Sequence, residues 1–374
     1  MNDSFLLQRI QEREDQHALR QLVSGYRGID FCSNDYLGIA TSNLLAGGDD
    51  RYKSGSTGSR LLTGNNHFTE ETEIRVADFH QSPAALFFNS GYDANTGLLS
   101  CVPQRGDTIL YDALSHASIR DGLRLSLAAS HAFQHNDTAD LEKKMEGCPG
   151  RIFVVTESLF SMDGDLAPLV EIAGMCSQRG ALLVVDEAHA TGVIGSRGEG
   201  LVQSLGLEQH CFARMHTFGK ALGCHGAVVL GSRLLRDYLV NFCRQFMYTT
   251  ALPPVAIAAI GQSYSLFPGM TAERKQLGLL TSLFQSADLQ LTRLKSDTPV
   301  QSVIIPGNRA ARELASACVA GGCDVRAILY PTVPRGAERV RITLHAFNTA
   351  AQLHQLVRSI GLFTATRQAP GLIS

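Results

Sequence analysis

Between residues 84 and 232, short apolar runs alternate with stretches of helical spacing. The runs cover residues 84–88, 108–111, 152–156, 181–185, 212–217 and 227–230. Several are apolar at successive positions, as strands covered on both faces are, whereas a strand with one wet face alternates. Strand–helix alternation of this kind predicts an α/β fold with a mainly parallel sheet, and such sheets place their sites beyond the carboxyl ends of the strands. Upstream, Leu6, Ile10, Leu19 and Leu22 predict one amphipathic helix over residues 4–22. Residues 53–66 are dense in Gly, Ser and Thr and read as an irregular loop. A helix is expected over 68–80, with Thr69 as its N-cap and acidic residues in its first turn. Pro253-Pro254 ends the alternating region, and a smaller α+β unit follows. Its expected strands are 300–305 and 340–344, and its expected helices 308–320 and 349–360. The expected organisation is an N-terminal segment (1–40), a large domain (41–265) and a small C-terminal domain (266–374).

Composition narrows the classes. The chain of 374 residues is 44% hydrophobic and 18% charged, an ordinary globular profile long enough for more than one core. Net charge is −2, from 33 basic and 35 acidic residues with no long like-charge run. No nucleic-acid footprint or polybasic membrane patch is therefore expected. No apolar run approaches the roughly 20 residues that cross a bilayer, and the first twenty residues mix charges without a signal core. Nine cysteines are scattered with no CxxC pair. An odd, dispersed set speaks against a disulfide framework and gives zinc no ligand spacing, so reduced thiols in a cytoplasmic protein and no metal site are expected.

Four strand ends carry residues with chemistry to offer. Leu182-Leu183-Val184-Val185-Asp186-Glu187-Ala188-His189 closes a buried strand on a carboxylate, with an imidazole three residues on. Alone, Asp186 reads equally as an acid capping the next helix. Asp-Glu-Ala-His is also the spelling of a nucleotide-hydrolase Walker B segment, but that chemistry needs a GxxxxGK[ST] phosphate loop. The Gly219-Lys220 pair is followed by Ala221 and lacks the upstream glycine, so this rival loses its partner. Lys220 sits in a glycine-flanked turn, Thr217-Phe218-Gly219-Lys220-Ala221-Leu222-Gly223, just past another apolar run. An isolated Gly-Lys is usually an exposed loop. Burial, however, lowers an amine's pKa and makes it a nucleophile suited to Schiff-base chemistry. Phe87-Phe88-Asn89-Ser90-Gly91-Tyr92 leads from a strand into a helix whose first N–H groups can take a phosphate. In Tyr111-Asp112-Ala113-Leu114-Ser115-His116 a histidine follows a strand; it is suited to stacking on a flat ring, or is simply structural. Residues 156–165 end a further strand with several polar groups. An amine for an aldehyde, an acid for a ring nitrogen and donors for a phosphate make up the set that pyridoxal 5′-phosphate (PLP) requires. Asp186 would make the charge-assisted contact to the pyridinium.

With these residues in place, the chain resembles the α-oxoamine synthases, fold-type I PLP enzymes, and within them the biotin-biosynthesis branch. The matching segments appear in family order: Ser33-Asn34-Asp35-Tyr36-Leu37-Gly38, Leu114-Ser115-His116-Ala117-Ser118, Phe160-Ser161-Met162-Asp163-Gly164-Asp165, Asp186-Glu187-Ala188-His189-Ala190-Thr191-Gly192, Thr217-Phe218-Gly219-Lys220 and Pro331-Thr332-Val333-Pro334. The resemblance implies a large, mainly parallel-sheet domain with a smaller α+β C-terminal domain. It also implies that Lys220 carries the cofactor and moves the Cα proton, Asp186 pairs with the pyridine nitrogen, His189 contacts the ring oxygen and His116 stacks on the ring. Ser90, Gly91, Tyr92 and Thr217 would surround the cofactor and its phosphate, and Glu157 and Ser161 would line the site. Arg341 would hold an amino-acid carboxylate, with Asn34 and Thr332 nearby and Arg20 matching an N-terminal arginine near the substrate. Thr249 and Thr250 match a segment that reaches a neighbouring subunit's phosphate, which implies a homodimer with shared active sites. The implied reaction is a decarboxylative condensation of L-alanine with a pimeloyl thioester, on coenzyme A or a carrier protein. The sibling alternative joins glycine or serine to another acyl-CoA. The chain departs from the family pattern in a shorter connection before Asn34 and a trimmed stretch at 44–53.

Overall fold

The structure, a computed structural model, describes residues 3–25, 28–45 and 53–368. Most of the trimmed stretch at 44–53, and residues 26–27 of the connection before Asn34, lie outside them. In chain order the strands are β1 (Ile29–Asp30), β2 (Ala84–Phe88), β3 (Thr108–Asp112), β4 (Ala129–Phe133), β5 (Ile152–Glu157), β6 (Leu182–Asp186), β7 (Cys211–Thr217), β8 (Ala227–Gly231), β9 (Val300–Ile304), β10 (Cys323–Asp324), β11 (Arg326–Ile328) and β12 (Arg339–Thr343). The helices needed below are α1 (Ser4–Asp15), α2 (His67–Phe79), α3 (Gly91–Cys101) and α4 (Ala117–Leu125). Contacts divide the chain into two units, one of residues 37–161 and 166–274, the other of residues 1–36, 162–165 and 275–374.

The larger unit is built on a seven-stranded sheet of order β2-β8-β7-β6-β5-β3-β4. β8 pairs antiparallel with both neighbours and every other pairing is parallel. The carboxyl ends of β2, β3, β5, β6 and β7 therefore share one edge. The continuous apolar runs have the reason expected of them: all five residues of β2 are buried, and helices cover the sheet. On one face Leu98 and Leu99 of α3 and Ile119 and Leu123 of α4 pack with Val155, Val184 and Met215 of the sheet. Burying such side chains stabilises the layer by about 1.5–3 kcal/mol each, which fixes α3 and α4 against the strand ends.

The smaller unit holds the antiparallel sheet β11-β12-β9 and the parallel pair β1-β10. That pair, Ile29 with Cys323 and Asp30 with Asp324, joins the N-terminal segment to the C-terminal part of the chain. Helices Asn308–Ala320 and Ala350–Gln368 cover the core, where Leu314, Ile342, Leu353 and Leu356 are fully buried.

Three local expectations change. α1 stops at Asp15, seven residues short of the expected end, because His17 turns into the left-handed region (φ 51°). Long-range donors hold the chain there: Arg312 bonds the carbonyls of His17 and Leu19, and Asn308 bonds that of Gln16. Asn66, rather than Thr69, caps α2, its side chain accepting the Thr69 N–H at 2.9 Å. β4 has no counterpart among the expected strands; three of its five residues are exposed at the sheet edge, so it lacks an apolar run. Among the described residues, no helix is long and apolar enough to cross a membrane.

Candidate active site

The register of the sheet sets Glu157, the last residue of β5, beside Asp186, the last of β6, and Asp186 beside Met215 of β7. A cavity of about 160 Å³ opens at these strand ends, and all three residues line it together with residues of α3 and α4. Of the residues expected from the sequence, Gly91, Tyr92, His116, Glu157, Asp186, His189, Thr217 and Lys220 are in the lining. Lys220 reaches the cavity from the turn after β7, where Thr217 Oγ1 donates to the Gly226 carbonyl and accepts the Gly219 N–H. Ser90 is the N-cap of α3, accepting the Asp93 N–H at 3.1 Å, so the first free N–H groups of that helix adjoin Gly91 and Tyr92 in the lining. Ser90, Ser161, Thr249 and Thr250 are not among the lining residues. Asn89, just before Ser90, donates to Thr249 Oγ1 (2.8 Å) and to the Thr250 carbonyl (2.9 Å), which ties that segment to the start of α3.

Sequence reasoning missed Asn95, Ser118, Ala188 and Met215, all in the lining. Asn95 and Ser118 link the titratable groups. Asn95 Nδ2 donates to Asp186 Oδ2 at 2.7 Å and to Ser118 Oγ at 3.0 Å. The Ala188 N–H bonds the other Asp186 oxygen at 2.8 Å. The Ser118 N–H donates to His116 Nδ1 (3.2 Å), so Ser118 Oγ, 2.8 Å from the same nitrogen, gives its proton to it while accepting from Asn95. His116 Nδ1 is thus an acceptor, and the neutral ring carries its proton on Nε2. Burial, the largest effect, and the Lys220 charge lower the pKa of His116 against the opposing pull of Asp186, in keeping with that neutral form. The His116 N–H donates to Glu157 Oε1 at 2.6 Å. Burial first, then the Asp186 charge, raise the pKa of Glu157 well above the usual carboxylate range, opposed by that N–H and by Lys220. Asn95 leaves no sign in the sequence, because one polar residue inside a helix reads as a solvated position.

Glu187, next to Asp186, is engaged elsewhere. It accepts the N–H groups of Leu201 (2.8 Å) and Val202 (2.9 Å), and burial pushes its pKa up to about 7. Gly200, at φ 104°, lies so close that an added Cβ would stand 1.8 Å from Glu187 Oε2. The second acid of Asp-Glu-Ala-His is thus occupied in holding backbone.

The remaining expected residues belong to the smaller unit and form two pairs there. Arg341 on β12 donates to Asn34 Oδ1 at 2.9 Å. Beside it Tyr36 is buried, which raises its pKa to about 12 against the pull of Arg341. Arg20 donates to Thr332 Oγ1 at 3.1 Å.

Sheet order, strand-end lysine and acid, and the α3 terminus together define a fold-type I enzyme that depends on PLP. The chain belongs to the aminotransferase class I and II family, whose model matches residues 26–360. It is 41% identical to the 8-amino-7-oxononanoate synthase of Emericella nidulans, over 95% of this chain and 94% of that protein. Among solved structures it is similar to the 8-amino-7-oxononanoate synthase of Francisella tularensis (29% identity, TM-score 0.80, 91% of this chain and 99% of that one). It is also similar to serine palmitoyltransferase from S. paucimobilis with a bound PLP–myriocin adduct (26% identity, TM-score 0.86, 97% of both chains).

Proposed function

We propose that this protein condenses L-alanine with a pimeloyl thioester to give 8-amino-7-oxononanoate, CO₂ and the free thiol, the carrier being coenzyme A or a carrier protein. The observation that carries this reading is one cavity lined by Lys220, Asp186, His116 and His189, in a chain whose relatives are named for that synthesis.

The lining suits the cofactor. An amine, a carboxylate already fixed by two N–H donors and a helix N-terminus share one small cavity, and each matches a different part of PLP. When bound, PLP supplies an aldehyde for an amine and an electron-withdrawing ring that acidifies the Cα–H of the amino acid. Lys220 would hold the aldehyde through Nζ, the amine that would also take the Cα proton of the amino acid. Asp186 would pair with the ring nitrogen, with Asn95 and the Ala188 N–H keeping the carboxylate from turning away. His116, neutral and oriented by Ser118, would present its flat face to the ring, and His189 would contact the ring oxygen. Ser90, Gly91, Tyr92 and Thr217 would receive the phosphate, while Glu157 and Ser161 would complete the surroundings. Thr249 and Thr250 serve the phosphate of a second subunit in a cytoplasmic homodimer. Arg341 would bind the alanine carboxylate, and Asn34, Thr332 and Arg20 would be further substrate-binding residues. The new carbon–carbon bond would join Cα to the acyl carbon as the thiolate leaves, and departure of the alanine carboxylate as CO₂ would leave its electron pair at Cα, which would take back the proton held on Lys220 Nζ.

The test is product mass after incubating holoenzyme with alanine, glycine or serine and acyl thioesters of graded chain length. Alanine with the pimeloyl thioester should give the fastest turnover and the mass of 8-amino-7-oxononanoate. Preference for glycine or serine with another acyl chain assigns the chain to the sibling reaction.

A further inference from the structure

His189 and Lys220 stand on different turns of the larger unit, one after β6 and one after β7. Two contacts join these turns. Gly192 has positive φ (82°), and a Cβ there would stand 2.6 Å from the Ala221 Cβ, so the first turn packs directly on the residue after Lys220. The second contact is a hydrogen bond of 2.8 Å between Thr191 Oγ1 and His216 Nδ1, with both side chains buried. Its direction follows from the neighbours. Thr191 Oγ1 also lies 2.7 Å from the Glu187 carbonyl, which can only accept, so the hydroxyl proton goes there. His216 Nδ1 must then donate to Thr191, and Nε2, which has no partner among the described residues, is the bare nitrogen. We propose that Thr191 and His216 are positioning residues, which hold the His189 turn against the Lys220 turn so that both side chains reach one cofactor ring.

The strand is the fixed side of this bond. His216 lies on β7, paired with Val228 of β8, one residue before Thr217 and four before Lys220. Its ring lies against the ring of His80, with centroids 4.1 Å apart, and is fully buried. Burial first, then the neighbouring His80 and Arg214, push its pKa well below the usual histidine range, so the ring is neutral and Nδ1 carries its one proton. The turn is the side that is held. Thr191 closes it two residues past His189, since its N–H and that of Ala190 also bond the Glu187 carbonyl, at 3.0 and 3.1 Å. The Glu187 N–H in turn bonds the Met215 carbonyl of β7 at 2.7 Å. Thr191 is therefore the point at which the position of β7 passes to the turn that carries His189. Side chains that meet a ligand keep their geometry only when buried hydrogen bonds behind them fix their backbone.

This inference rests on the reading that Lys220 holds the PLP aldehyde and His189 contacts the ring oxygen. Those two groups are neighbouring substituents of the PLP ring, so a small shift between the turns separates His189 from its oxygen while Lys220 stays bound.

The experiment follows the visible absorbance of the lysine-bound cofactor against pH, because its midpoint responds to the charge on the ring oxygen. Thr191→Val removes the hydroxyl at nearly constant shape and should move the midpoint by about half a pH unit or more. Thr191→Ser keeps the hydroxyl, and His216→Asn sets an amide N–H where the Nδ1–H stood; both should lie close to wild type. On a His189→Asn background, Thr191→Val should add no further shift, because the two act through one side chain. Nitrogen-15 spectra of imidazole-labelled wild-type apoprotein should show His216 protonated on Nδ1, a measurement that needs no variant to fold. An unmoved midpoint in Thr191→Val, an additive shift on the His189→Asn background, or His216 protonated on Nε2 would each overturn the proposal and leave the underlying reading intact. Wild type without lysine-bound absorbance would overturn both.

Discussion

Asn95 offers the sharpest perturbation, because its one amide group holds both Asp186 and the serine that orients His116. Asn95→Ala removes a 2.7 Å bond to a buried carboxylate and a 3.0 Å bond to Ser118 Oγ. A hydrogen bond to a charged group contributes about 1.5–3 kcal/mol, and leaving such a group short of a donor in a low-dielectric site costs a similar amount. At about 1.4 kcal/mol per tenfold, cofactor affinity should fall roughly 10- to 100-fold, the lower end applying where water enters the space left. Asn95→Asp discriminates position from chemistry. It keeps the shape but sets a second carboxylate against Asp186, so it should bind cofactor more weakly than the alanine variant. The assay is titration of apoenzyme with PLP, followed by the visible absorbance of the lysine-bound cofactor. Wild-type affinity in Asn95→Ala, or an aspartate variant that binds better than alanine, would refute the reasoning.

Other outcomes follow from the same geometry. Burial raises the pKa of Glu157, so the folded protein keeps a proton that the unfolded chain releases from about pH 4.3. Stability from this group is therefore full at low pH and declines by about 1.4 kcal/mol per pH unit as pH rises from there toward the raised pKa. Glu157→Gln cannot ionise, so calorimetry of the apoprotein should show Tm falling less with pH than in wild type. Gly200→Ala forces a side chain into strained backbone 1.8 Å from the Glu187 carboxylate that caps Leu201 and Val202. It should destabilise by about 2–4 kcal/mol, read from the urea midpoint at unchanged m. Arg341→Lys loses the planar fork that grips a carboxylate, so KM for the amino acid should rise about tenfold with a smaller change in kcat.

How much of this was legible in the sequence follows from what each residue answers to. β6 and β7 announce themselves because apolar runs ending in Asp186, or in a glycine-flanked lysine, reflect local rules of burial and turn formation. The pairing of Glu157 with Asp186 needs only the parallel order of β5 and β6. The end of α1 was not legible, since Arg312 and Asn308, almost 300 residues away, hold the turn at His17. β4 pairs along one side only and carries exposed polar residues, so backbone bonds rather than hydrophobicity make it a strand. Asn95 and Ser118 act through partners that are distant in the chain or two residues away across a cap. Such polar bridges become visible only when the helices are docked.

The central claim is that Lys220 is the amine that holds the cofactor. Reducing PLP-loaded enzyme with borohydride makes the lysine–cofactor bond permanent, and peptide mapping then finds the modified residue. The account predicts the added mass on the peptide containing Thr217-Phe218-Gly219-Lys220, and its absence in Lys220→Ala. Cofactor fixed to a different lysine, or a Lys220→Ala protein labelled as fully as wild type, would contradict it.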